Sequence, residues 1–393
     1  MPDAEQPAVH ELTAPEPAEH VDVSIEESVP LIPQPPGFTF RRVFLGRDGL
    51  RAGWSLLLYA ALLVVLLVGS GSLVHALRHY GDTAKPSAGV QSEPQSFRSA
   101  VPVTSELMSI NTVLIAEGTS LFAVVVATWL MGKIERRPNS TYGLGARHRT
   151  GNFLSGLAWG VALLSVLMLT LRSTGLLVFD ARELFGTTAW RYGMVWFDGF
   201  LLVGLFEEYG FRGYLQFTLA RGINGIYDWL RTFGPRATEC SETASRAANL
   251  RTATQGAHGF WIAALLVSFG FGFLHRTNVG ESPIGLLSAG LVGLVFCLSL
   301  WRTGSLWWAI GFHTAWDWAQ SFLYGVSDSG MVVQGHLFHT HPEGRPIFSG
   351  GLTGPEGSLF ILPTLALTAA VILLTLPSAR HSLAASTSEA VLN

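Results

Sequence analysis

"GLFEEYGFRGYLQF", residues Gly204 to Phe217, puts two glutamates and an arginine into a run that otherwise reads as lipid-soluble. An ionisable side chain at the centre of a bilayer costs about 2.5 to 3.5 kcal/mol on the insertion scale. Three such groups within two turns of helix require a protein interior or a wet cavity to hold them, and a reason to be there.

The rest of the chain supplies the membrane setting. Of its 393 residues 49% are hydrophobic and 13% charged, roughly half the charge of a typical soluble domain at about 25%. A helix needs about 20 mostly apolar residues to span a bilayer. Stretches that meet this ruler fall at 52–77, 108–132, 153–178, 193–219, 259–277, 283–301, 305–325 and 357–377. The first, "WSLLLYAALLVVLLVGSGSLV", is uninterrupted, whereas the fourth, fifth and seventh carry ionisable residues and belong inside a bundle. The expectation is an all-α, polytopic transmembrane bundle of about eight spans. Residues 1–38 form an acidic, proline-rich tail without Lys or Arg, too polar to bury an apolar core and so expected to be disordered. Residues 39–185 then hold the N-terminal transmembrane helices and 186–326 the core with the charged spans. Residues 327–356 read as a Gly/Pro/His-rich loop, and 357–393 as a last span with a polar C-terminal tail.

Basic residues set the expected orientation. Arg41, Arg42, Arg47 and Arg51 precede the first span, Lys133, Arg136, Arg137, Arg147 and Arg149 separate the second from the third, and Arg221, Arg231, Arg236, Arg246 and Arg251 follow the fourth. Placing these inside predicts an integral, multi-pass membrane protein with both termini cytoplasmic. The N-terminus lacks the basic and apolar regions of a signal peptide. A net charge of -3 gives no footprint for nucleic acid. Cys240 and Cys297 suggest neither a disulfide framework nor a thiolate metal site. Nothing in the sequence bears on oligomeric state. Small residues in the sixth span, Gly285, Ser288, Ala289 and Gly293, suit close helix packing, and Trp301, Trp307 and Trp308 read as an interfacial belt.

Neighbours on a helix point about 100° apart, so Glu207 and Glu208 face different ways. Glu208 and Arg212 stand at i, i+4 in the favourable order for an ion pair, which makes Arg212 a fixed counter-charge. Glu207 is left with no local partner, and a carboxylate in a restricted cavity can serve as a general base toward water. Two other spans offer partners. "FGFLH" carries Phe271 and, one turn on, His275; "HTAWD" sets His313 and Asp317 on one face. Two chemistries fit this set. Glu207, His275 and His313 could ligate a divalent metal such as zinc whose bound water is the nucleophile. Alternatively Glu207 and His275 activate water without metal while His313 and Asp317 steady the oxyanion. There is no HExxH helix, which excludes the zincin layout. Phe271 reads as a packing wall of the site. His336, His339 and His341 in "HLFHTH" read as solvated loop histidines and stay outside it.

"EEYGFR" (Glu207–Arg212), "FGFLH" (Phe271–His275) and "HTAWD" (His313–Asp317) resemble the EExxxR, FxxxH and HxxxN/D motifs of the CPBP intramembrane proteases, the family of the CAAX prenyl endopeptidases, bacteriocin-processing proteins and Abi proteins. The resemblance covers roughly residues 190–325. It implies peptide-bond hydrolysis within the membrane, Glu207 as water activator, and a peptide or lipidated-peptide substrate met at the lipid bilayer. The family's positions carry over to Glu207, Glu208, Arg212, His275, His313 and Asp317; many members have Asn where this chain has Asp317. The rival class is a non-catalytic membrane scaffold or a proton-coupled transporter using the same buried groups. Carriers often repeat their broken helices in paired halves, and this chain has no second EE…R helix.

Overall fold

The computed structural model describes residues 43–46, 49–83, 106–145, 148–231, 242–278 and 280–377. The acidic tail, residues 1–38, lies outside them, as do Cys240 and the end of the C-terminal tail. Long helices dominate: α1 (Ala52–Thr83), α2 (Ile110–Glu135), α3 (Arg149–Ser173), α4 (Gly186–Glu207), α5 (Gln216–Arg231), α6 (Glu242–Leu274), α7 (Pro283–Thr303), α8 (Trp307–Trp318) and α9 (Ile361–Thr375).

Among the described residues, five helices are long and apolar enough to cross a membrane: Ala52–Ala76, Ile110–Glu135, Arg149–Ser173, Gly256–Thr277 and Pro283–Thr303. The remaining expected spans are helical but fall short of that standard. α4 carries Arg191, Asp198 and Glu207, α8 runs only 12 residues, and α9 only 15. On the outside, Val64, Val65, Val68, Phe269 and Leu374 are all at least 60% exposed. Apolar side chains left uncovered on several helices are what a lipid-facing surface presents.

The fold is not purely helical. Among the described residues, six short strands pair in twos: β1 (Leu45–Gly46) with β2 (Gly49–Leu50), β3 (Glu106–Met108) in parallel with β5 (Met331–Val333), and β4 (Leu177–Arg182) antiparallel to β6 (Phe338–Pro342). The stretch expected as a plain Gly/Pro/His-rich loop, 327–356, thus holds β5 and β6. It also holds a helical turn at Pro346–Ser349 and the start of a 3₁₀ turn at Pro355–Gly357. Register slips between Phe179 and Ala181, so Asp180 sits in a bulge. Ladders this short carry no helical or strand periodicity, which is why composition alone reads as loop.

The core is organised by α8. Trp308, Phe312 and Trp316 stack at i, i+4 spacing, with centroids 5.1 and 5.7 Å apart. They pack against Leu163, Leu164 and Leu167 of α3. Trp308 is fully buried there, a correction to its expected place in an interfacial belt. Glycines let these backbones meet: a Cβ on Gly160 would lie 2.6 Å from the Phe312 carbonyl oxygen and 2.9 Å from the Ala315 Cβ. Gly156 meets Trp308 and Gly311 meets Phe153 in the same way. The small residues that matter most are therefore on α3 and α8, although Gly293 of α7, one of those expected, also makes room, here for Arg212.

A second buried network fixes α5. Glu135, at the end of α2, accepts from Tyr214 Oη at 3.1 Å and from Arg221 Nη2 at 3.0 Å. Arg221 also donates to the Leu50 carbonyl and to Ser55 Oγ, at 3.1 and 3.2 Å. That ties α1, α2 and α5 together at the end of the helix that carries the EE…R stretch.

Candidate active site

Between α4 and α5 the chain winds as a π-helix, Glu208–Leu215, inside an otherwise continuous helical rod. π-turns are rare and concentrate at functional sites, because the wider turn re-aims side chains that a regular helix would space evenly. This one begins at the residue after Glu207 and contains both Glu208 and Arg212.

Glu208 and Arg212 form the expected ion pair, Oε1 to Nη1 at 3.0 Å, with both side chains fully buried. Arg212 also lies over the Phe271 ring, its Cζ 4.3 Å from the centroid. The same Glu208 oxygen accepts from His313 Nδ1 at 3.0 Å. His313 is thereby oriented by a carboxylate that the guanidinium already compensates. Its Nε2 faces two further acids, Glu207 Oε2 at 3.6 Å and Asp317 Oδ2 at 3.4 Å. Glu207 has no partner along its own helix, but it has this one from α8.

His275 opens the 3₁₀ turn His275–Thr277 at the end of α6. Its Nδ1 donates to the Phe271 carbonyl at 2.8 Å; a carbonyl only accepts, so in the neutral ring the bare lone pair is on Nε2. The Phe271 ring stands 4.7 Å from the His275 ring. Phe271 thus touches both Arg212 and His275, which is more than a wall.

Glu207, His275, His313 and Asp317 all line one cavity of about 520 Å³, within the range of small-molecule and cofactor sites. Its walls are largely apolar, including Phe200, Val203, Phe206, Phe211, Val292 and Leu365. A ruler of straight helices sets Glu207 near mid-membrane and His275 near the outer end of its span. The cavity bridges that offset.

Three carboxyls on this cavity escaped the sequence reading: Glu117 of α2, Asp328 and Glu356. A single acid inside the second span was a readable signal for Glu117. Asp328 and Glu356 sit in the loop, where acids are ordinary, and only the folded chain brings them in. Asp317, Asp328 and Glu356 place carboxylate oxygens within 4.8 Å of one another. Ser321 donates to Asp328 at 3.2 Å and Ser329 to Glu356 at 3.3 Å. Burial raises the Asp328 carboxyl well above the usual range and Asp317 adds to it; burial does the same to Glu356, with Asp328 adding.

The histidines of "HLFHTH" lie elsewhere. His339 and His341 each place Nδ1 against Asp180 Oδ2, at 2.9 and 2.8 Å. These bonds hold the exposed Asp180 carboxyl below its ordinary range, His341 contributing most. His336 faces Glu183 at 3.4 Å.

No curated protein and no solved structure matches the chain. Residues 189–319 match the family model "Type II CAAX prenyl endopeptidase Rce1-like", and that stretch takes in all but the first three residues of α4, the π-turn, His275, His313 and Asp317. Over that third of its length the chain is similar to the Rce1-like type II CAAX prenyl endopeptidases, which is consistent with the CPBP/CAAX protease family.

Proposed function

We propose that this protein is an intramembrane endopeptidase. It hydrolyses a peptide bond of a membrane-associated, prenylated or peptide substrate in the cavity described above. The reading rests on one relationship above all. Glu208 is shared by Arg212 and His313, so Glu207 alone of the acid pair is turned to the cavity, 3.6 Å from His313 Nε2.

The assignment of roles follows from that arrangement. Glu207 takes a proton from water as the oxygen attacks the scissile carbonyl. His275, with its Nε2 lone pair, holds the water from the other wall. His313, braced by Glu208, with Asp317 beside it, steadies the oxyanion as negative charge develops. Arg212 and Phe271 position the residues they touch. The apolar wall suits a lipidated or apolar peptide, in keeping with the family's substrates. α4, α8 and α9 complete an eight-helix membrane bundle with the five longer helices, α8 lying buried at its centre.

A metal fits this site poorly. Bound there, a divalent ion would polarise a water or a carbonyl. Among the described residues, however, the set whose ligand atoms come within 4.8 Å of one another is Asp317, Asp328 and Glu356, not Glu207, His275 and His313. Both ring nitrogens of His313 are also engaged with carboxylates. The glutamate-activated water is the favoured chemistry.

The test is Glu207→Gln in purified protein mixed with prenylated and unprenylated peptides. Cleavage should fall by about 10²- to 10⁴-fold with the thermal midpoint retained. A variant as active as wild type ends the reading, and saturable binding without cleavage by wild type points to a scaffold.

A further inference from the structure

α2 carries two acids, and the structure treats them in opposite ways. Glu135, at its end, is buried but answered by Tyr214 and Arg221. Glu117, two turns into the same membrane helix, has no cation and no hydrogen bond among the described residues. It lines the cavity together with Thr112, Val113 and Ala116 of the same helical face. Glu207, another acid, lines the same cavity. An unpaired carboxyl within a span is expensive, and sharing a cavity with a like charge adds to the cost. A bundle held only by packing would not retain it.

Two acids that share one restricted, largely apolar cavity do not readily ionise together, so one of them keeps a proton. The reaction proposed above needs that proton. Glu207 is occupied in removing one from water, while the departing nitrogen cannot leave as an anion. We propose that Glu117 is a further catalytic residue of that reaction, donating from its carboxylic acid the proton that the leaving amine requires. The inference rests on the endopeptidase reading.

The steps balance. Water loses a proton to Glu207 as its oxygen bonds to the carbonyl carbon, and the carbonyl π pair becomes the oxyanion. That pair re-forms the carbonyl as the C–N bond breaks. The nitrogen keeps the C–N pair and takes the Glu117 proton, leaving as a neutral amine beside a carboxylic acid. Glu207 is then protonated and Glu117 ionised. Transfer of one proton from Glu207 to Glu117, directly or through a water, restores the start. The other titratable groups facing this cavity are His275, His313, Asp317, Asp328 and Glu356. Of these, His313 and Asp317 are engaged with each other, Asp328 with Ser321 and Glu356 with Ser329.

An ester tests the idea because an alkoxide needs a donated proton far less than an amide nitrogen does. The probes are a farnesylated peptide ending in a CAAX sequence and its depsipeptide, with oxygen in place of the scissile NH. Glu117→Gln should lower cleavage of the peptide by about 10²- to 10³-fold. The ester should lose about tenfold at most, and the thermal midpoint should hold. Glu117→Leu, which suits a membrane helix, should show the same split and serves if the Gln variant does not fold. Equal losses on both probes, or no loss on either, overturn the role of Glu117. Wild-type protein that cleaves neither probe, or Glu207→Gln that cleaves both normally, overturns instead the reading on which it rests.

Discussion

His313 Nδ1 donates to Glu208 Oε1 at 3.0 Å, joining α8 to the π-turn through the oxygen that also holds Arg212. One buried carboxylate oxygen therefore serves both the packing of the bundle and the aim of a ring in the cavity. Stability and activity should be coupled at Glu208 and separable at Glu207.

Glu208→Gln strands the Arg212 guanidinium in a fully buried position. Breaking one side of such a pair costs roughly 3 to 5 kcal/mol, so the thermal midpoint and cleavage should fall together. Arg212→Met should do likewise. The double variant removes both charges and should regain part of the stability, since a buried pair replaced by apolar groups is often neutral. It should not regain cleavage, because His313 has lost its charged brace. A double variant with normal cleavage would break the proposed link between Glu208 and His313.

Gly160 is fixed by the helix crossing. Gly160→Ala puts a methyl 2.6 Å from the Phe312 carbonyl oxygen, next to His313. Overpacking of this kind costs about 1 to 3 kcal/mol, against a gain of about 1 kcal/mol in helix propensity. The net effect should be a lower thermal midpoint and reduced cleavage. Gly151, on the same helix, has nothing within 4 Å of its would-be Cβ, so Gly151→Ala should be neutral or slightly stabilising. If the two substitutions behave alike, close approach of α3 and α8 is not what selects glycine there.

Asp328 and Glu356 give the bundle a pH dependence of definite sign. Both lie outside the membrane helices and both have carboxyls raised above their ordinary values by burial and by neighbouring acids. A carboxyl raised in the folded state binds its proton more tightly there than in the unfolded chain. Its contribution is complete below the ordinary carboxylate range and is lost as pH rises through the folded value. Thermal midpoints should thus decline as pH rises from about 4, the ordinary carboxylate range, and Asp328→Asn should flatten that decline. A steeper decline in the variant would reverse the sign assigned here.

Chelation should leave cleavage unchanged. With glutamate-activated water as the chemistry, dialysis against a strong chelator and elemental analysis should give active protein with no stoichiometric divalent metal. Activity lost on chelation and restored by zinc would replace Glu207 as base with Glu207 as ligand.

Much of this protein was legible as sequence, for local reasons. Membrane spans depend on runs of apolar residues, and the pairing of Glu208 with Arg212 or His313 with Asp317 depends on i, i+4 spacing along one helix. Both are contained in short windows of sequence. The motifs in "EEYGFR", "FGFLH" and "HTAWD" marked the cavity residues for the same reason. What a window cannot contain was decided by tertiary structure. The π-winding after Glu207, the sharing of Glu208 between Arg212 and His313, and the glycine crossing that buries Trp308 all depend on contacts between distant helices. So do the arrivals of Glu117, Asp328 and Glu356 at the cavity, since a side chain's neighbours across a bundle are set by how helices pack and not by their order along the chain.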